Sequence, residues 1–143
     1  MDPIDDLRTL GIDADHLALA ALLPLVRVAW ADGAIQPAER DRVLELARAH
    51  GLLDAAGATI VDGWLAEAPS GLFRATADRV VKQLVDRAAL PAGLAPADLV
   101  TRCWELAGAA GGLLGTRVLA ITGTERQALE EIAEVLGVHA LER

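Results

Sequence analysis

The sequence predicts an all-α, single-domain helical bundle with two pseudo-symmetric helical repeats. Three observations carry that prediction. Apolar residues recur at helical spacing along the chain, and no alternating strand pattern survives anywhere. The apolar side is made mostly of Ala, Leu and Val, with only 3% aromatic residues, and Ala and Leu are strong helix formers. Finally, the segment 35–52 aligns without a gap on 121–138. A chain of 143 residues that is 53% apolar can bury the core of one domain, taken here as 1–143.

The elements follow in order. From about Asp13 to Ala31 the chain is apolar nearly all round, as in a central buried helix, and Pro24 should kink it or divide it in two. A turn at Asp32-Gly33 leads to a helix opened by Pro37 and stopped by Gly51. Another helix spans about Ala55–Ala68 and ends at Pro69. The next spans about Leu72–Leu90 and stops before Pro91. Pro96 opens a segment to about Ala110, Gly111-Gly112 interrupts it, and the last helix runs from Gly123 to Leu136 before Gly137.

In the internal alignment, IQPAERDRVLELARAHGL lies over ITGTERQALEEIAEVLGV. Glu39 falls on Glu125, Arg40 on Arg126, Val43 on Leu129, Ala47 on Ala133 and Gly51 on Gly137. Start, stop and charge pair coincide together, which two unrelated amphipathic helices rarely achieve. The expected repeats are about 13–52 and 97–138, each a buried helix followed by an amphipathic one, with their acidic turns at one end of the molecule.

Composition narrows the function. The formal net charge is −8, and no Lys/Arg cluster forms the basic face that nucleic acid requires. The same sign disfavours anionic lipid and favours cations or basic protein partners. The lone Cys103 cannot form an internal disulfide and suits a reducing compartment. Residues 1–10 lack the features of a secretory signal, and the longest apolar run, Leu17–Val26, falls well short of the roughly 20 residues of a membrane span. A cytoplasmic protein is expected.

The candidate site is Asp32-Gly33-Ala34-Ile35-Gln36-Pro37-Ala38-Glu39, which matches the second half of a calcium-binding EF-hand loop. The first half is absent: Val28 and Trp30 stand where acidic ligands belong, and calcium takes about 6–8 oxygens, so an EF-hand is excluded. A structural reading competes. Asp-Gly is a common turn pair, Glu39 suits the free amides of a helix start, and Thr122-Gly123-Thr124-Glu125 reads as a capping box.

The run VAWADGAIQPAERDRVLELARAHGL resembles the TerB-like (tellurite-resistance) family, with its apolar helix, A-D-G-x-I and helix-opening E-R. TERQALEEIAEVLGVHALER resembles that family's closing segment, and the two stretches cover about a third of the chain. The resemblance implies a pseudo-symmetric helical domain of bacterial stress-response and tellurite-resistance systems. It implies a non-enzymatic protein that acts through protein partners, some membrane-associated, and binds a divalent metal through acidic residues. A related module precedes the J-domain in some membrane-anchored co-chaperones. Carried over by position, the metal residues are Asp32, Glu39 and Glu125, and calcium or magnesium is expected before zinc. In the second repeat Arg117, Val118 and Leu119 replace the A-D-G, so one carboxylate is missing and a cation is opposed. The alternative is a purely structural partner-binding or dimerisation module, a homodimer included, with an exposed Trp or Leu patch and no metal.

No enzyme is expected. Cys103 lies in an apolar helix, and His16, His50 and His139 show neither a sequence relation to it nor zinc-ligand spacing. Gly111-Gly112 lacks the neighbours of a phosphate loop. Trp30, Trp64 and Trp104 are expected in the core, with Trp64 the candidate for a partner anchor. Ser70-Gly71-Leu72-Phe73 reads either as an exposed apolar turn or as a helix cap.

Overall fold

The computed structural model describes residues 3–31, 33–91, 93–110 and 123–138. Among these residues the chain is helical throughout, with no strand. Asp32, Gly111-Gly112, Arg117, Val118, Leu119, Ile121, Thr122 and His139 lie outside the described residues.

The first helix, α1 (Pro3–Leu10), has no counterpart in the sequence reading, which assigned the acidic N-terminus no element. Asp5 and Asp6 stand in its first turn and Arg8 in its last, the arrangement that complements a helix dipole. It docks on α5 (Gly71–Asp86) through Asp6, which is buried and receives a hydrogen bond from Arg79 Nη2 at 3.1 Å. The same Nη2 also donates to Thr76 Oγ1.

Of the two outcomes expected at Pro24, a kink or a division, the apolar run from 13 to 31 takes the second. Ala14–Leu22 forms a 3-10 helix, and α2 (Leu23–Ala29) follows at once with Pro24 in its first turn. Pro24 has no amide proton, and its ring would strike the carbonyl four residues back, so an α-helix cannot run through it. A first-turn position removes both conflicts. The 3-10 form of the preceding nine residues is a correction to the expected α-helix. Six of the seven residues of α2 are buried, Arg27 being the exception.

Around α2 are packed α3 (Pro37–Ala49), α5, α6 (Pro96–Ala110), α7 (Gly123–Leu136) and the 3-10 helix. Among the described residues the contact between α2 and α6 is the most extensive, and each of the two also carries α3 and α7 on its flanks. Val43 and Ala47 of α3 are buried, as are their aligned counterparts Leu129 and Ala133 of α7. Both helices also close alike. Leu52 N donates to Ala47 O and Val138 N to Ala133 O, each at 2.9 Å, as the chain passes through Gly51 at φ 68° and Gly137 at φ 72°. That left-handed closure is the reason glycine stands at both stops.

The helix α4 (Ala55–Ala66) has the 3-10 helix as its main neighbour. Its far end is pinned by tryptophans: Trp64 Nε1 donates to Leu10 O at 2.8 Å, and Trp30 Nε1 donates to Trp64 O at 3.0 Å. Trp64 is buried and meets Phe73 edge-on, so it belongs to the core and not to an anchor. Ser70 caps α5 by accepting from Phe73 N, which decides the Ser70–Phe73 segment in favour of the cap. The helix ends at Asp86, four residues short of the expected Leu90, and the chain turns through Ala88 at φ 52° well before Pro91.

Candidate functional site

The acidic turn begins where α2 stops. Ala31 N donates to Val28 O, and Gly33 N donates to Trp30 O at 2.8 Å with Gly33 at φ 86°, so the chain reverses tightly after the helix. Gln36 then takes an extended conformation ahead of Pro37, and Glu39 occupies the third position of α3. Its Oε1 accepts from Gln36 N at 3.0 Å. This is the local arrangement the structural reading expected, a carboxylate answering an amide left over at a helix start. Glu39 is 3% exposed, and its aligned counterpart Glu125, also third in its helix, is 2% exposed. Two buried glutamates therefore stand at matching positions of two helix starts. Asp32, the third residue expected at the site, lies outside the described residues.

The turn and the start of α7 face one open cleft of about 490 Å³. Trp30, Ala31 and Gly33 line one wall, Thr124 and Gln127 the other, and Arg27 and Arg74 stand in it as well. Arg27 is the electrostatic centre of this region. Its Nη1 donates to both carboxylate oxygens of Asp78 at 2.9 Å, and its Nη2 donates to Glu131. One guanidinium thus ties α2 to α5 and to α7.

The cleft does not suit a divalent cation on the residues described. Among them no group of three or more His, Cys, Asp or Glu side chains converges as a metal site. Glu131, the carboxylate lining the cleft among the described residues, is already paired with Arg27, and Arg74 adds a positive charge there, while Glu39 already accepts a backbone hydrogen bond. Calcium would need about 6–8 oxygens, and magnesium a near-ideal octahedron. The described residues fall well short of either.

Other candidate residues find plain structural places. Cys103 is fully buried in α6, and burial pushes its thiol far above the usual range, so the nucleophilic thiolate is strongly disfavoured. His50 follows the end of α3 and packs against Gly93, where an added Cβ would come within 2.9 Å of His50 Cε1. Trp104 is half-buried beneath Arg126, whose guanidinium carbon lies 5.4 Å from the ring centroid. Leu72, at 66% exposure, is the exposed large apolar side chain among the described residues; it does not make a patch. Among the described residues no helix is long and apolar enough to cross a membrane.

Sequence reasoning missed His16. Its Nδ1 lies 2.7 Å from Asp13 Oδ1, and its Nε2 lies 3.2 and 3.1 Å from the two oxygens of Asp54. The Asp-x-x-His spacing of Asp13 and His16 was a legible local signal, since a cap residue reaches three residues on. Asp54, 38 residues away, was not.

Comparison with family models, with curated proteins and with solved structures gives no match to this chain.

Proposed function

We propose that the chain is a non-enzymatic helical module of the bacterial stress-response kind that its TerB-like resemblance implies, acting through protein partners. The observation that carries this reading is the matched burial of Glu39 and Glu125 at the third positions of α3 and α7. It supports reading the two glutamates of the similar stretches as counterparts. The identical closures at Gly51 and Gly137 and the central α2–α6 contact support it further.

A second reading has Asp32, Glu39 and Glu125 share a calcium or magnesium ion. It rests on the burial of the two glutamates at the third positions of their helices. Thermal melts of chelator-stripped protein separate the two. A metal present at 100 times its dissociation constant stabilises the folded state by about 2.7 kcal/mol. The partner-module reading expects no rise with calcium, magnesium, manganese or zinc. A rise that disappears in Asp32→Asn/Glu39→Gln would replace it with the metal reading, the Gln keeping an acceptor for Gln36 N. Cleaner still is the test of equivalence. Glu39→Gln and Glu125→Gln should destabilise by similar amounts, and a large cost at one beside none at the other breaks the paired architecture on which the reading stands.

A further inference from the structure

The 3-10 helix and α4 meet N-terminus to N-terminus, and one imidazole stands between their caps. Asp13 caps the 3-10 helix by accepting from His16 N at 3.0 Å, and Asp54 caps α4 by accepting from Gly57 N at 2.6 Å. His16 reaches both caps, with Nδ1 on Asp13 and Nε2 on Asp54. A neutral imidazole carries a single N–H. It can donate to one of these carboxylates only, and it turns a lone pair toward the other. The imidazolium has two N–H donors and satisfies both. The geometry therefore distinguishes the two protonation states sharply. We propose that His16 is a proton-dependent latch, whose imidazolium ties the cap of the 3-10 helix to the cap of α4 and whose deprotonation leaves a donor for only one of the two caps, loosening the first turn of α4.

What the latch releases is set by how α4 is held. Its main packing partner is the 3-10 helix itself, while its far end is fastened by the Trp64–Leu10 and Trp30–Trp64 hydrogen bonds and by buried Val61. Loss of the His16–Asp54 contact therefore opens the start of the helix about a retained hinge. Of the elements packed on the 3-10 helix, α4 supplies Asp54. The carboxylates hydrogen-bonded to His16 are that residue and its own Asp13.

The titration of the three groups agrees with the geometry. Hydrogen bonds to Asp13 and then Asp54 raise His16 above the ordinary histidine range. The hydrogen bond from His16 lowers Asp13, and the amide of Gly57, followed by His16, lowers Asp54. A raised histidine contributes stability that is fully present below its unfolded value, near 6.5, and is lost as pH climbs through the folded value. The lowered carboxylates contribute above their unfolded value, near 3.8, and lose it as pH falls through their folded values. The latch is thus closed between the folded values of the carboxylates, below 3.8, and that of His16, above 6.5, and opens as pH rises through the latter.

Amide hydrogen exchange on the full chain between pH 6 and pH 9, corrected for intrinsic rates, reads the opening directly. Protection of the Gly57 and Ala58 amides should fall by the factor with which the closed corner holds the proton more tightly than the open one. Amides of Val26 and Leu129 should keep theirs. In His16→Gln the Gly57 and Ala58 protection should be low and flat with pH. As a second measurement, the imidazole of His16 followed by NMR should titrate with a midpoint above 6.5 in the native chain and at lower pH in Asp54→Asn. A native midpoint at or below 6.5 overturns the latch, and so does a pH profile at Gly57 that His16→Gln leaves unchanged.

Discussion

Replacing Arg27 by methionine tests the one charge that joins three helices. The methionine keeps an unbranched stem against the neighbouring apolar side chains, so the loss is mainly that of the guanidinium. Asp78 and Glu131 lose their partner together. Breaking a fully buried pair on one side costs about 3–5 kcal/mol, whereas a fully exposed pair is worth about 0–1. Arg27 is 20% exposed, Asp78 39% and Glu131 45%, so the orphaned carboxylates regain water readily and the true cost lies between those limits. About 2 kcal/mol is the expected loss, which for a domain of this size lowers Tm by roughly 6 °C. Urea and thermal melts of Arg27→Met, Asp78→Asn, Glu131→Gln and the two double variants complete two mutant cycles. The coupling of Arg27 to Asp78 should be about 1 kcal/mol, and that to the more exposed Glu131 about half as large. Added salt should shrink both. A loss within about 0.5 kcal/mol in Arg27→Met, the range of an ordinary surface change, would refute the view of Arg27 as a three-helix tie. So would a cycle with no coupling to Asp78.

Gly51→Ala and Gly137→Ala each force a Cβ into a left-handed conformation, at φ 68° and 72°, with open space beyond. Each should cost about 1 kcal/mol in urea melts, and equal costs are the expected outcome for matched closures. Cys103 should resist an aromatic disulfide reagent in the folded protein and react in full once denaturant unfolds it. Rapid reaction under native conditions would contradict its burial in α6.

Burial follows from pattern more faithfully than helix type does. The run from Leu17 to Val26 reads as a buried helix because it is apolar on every side, and buried it is, Leu17 and the exposed Ala18 apart. Its 3-10 geometry depends on where Pro24 must sit relative to the next helix, which residue periodicity does not encode. Likewise α1 was passed over because eight residues show too little apolar period to stand out, although their charges already suit a helix dipole. Trp64 was ambiguous in sequence because its own segment is weakly patterned. Its place in the core follows from a partner 54 residues away, Leu10 O.

The candidate site divides along the same line. Glu39 at the third position of its helix is a local relation, three residues from Gln36, and any reader of caps can find it. The cleft shared by Gly33 and Thr124, and the arginines that enter it, come from helices far apart in the chain.

By itself, then, the sequence determined whatever is settled within about five residues: helical class, the starts at Pro37 and Pro96, and the stops at Gly51 and Gly137. These depend on backbone sterics and on hydrogen bonds between near neighbours, which residue identity dictates directly. Only the tertiary structure decided which charges meet: Arg27 with Asp78 and Glu131, Arg79 with Asp6, His16 with Asp54. A charged side chain has no intrinsic preference among the many opposite charges in a chain. Its partner is whichever one helix packing brings within hydrogen-bonding reach, and packing is a property of the whole core.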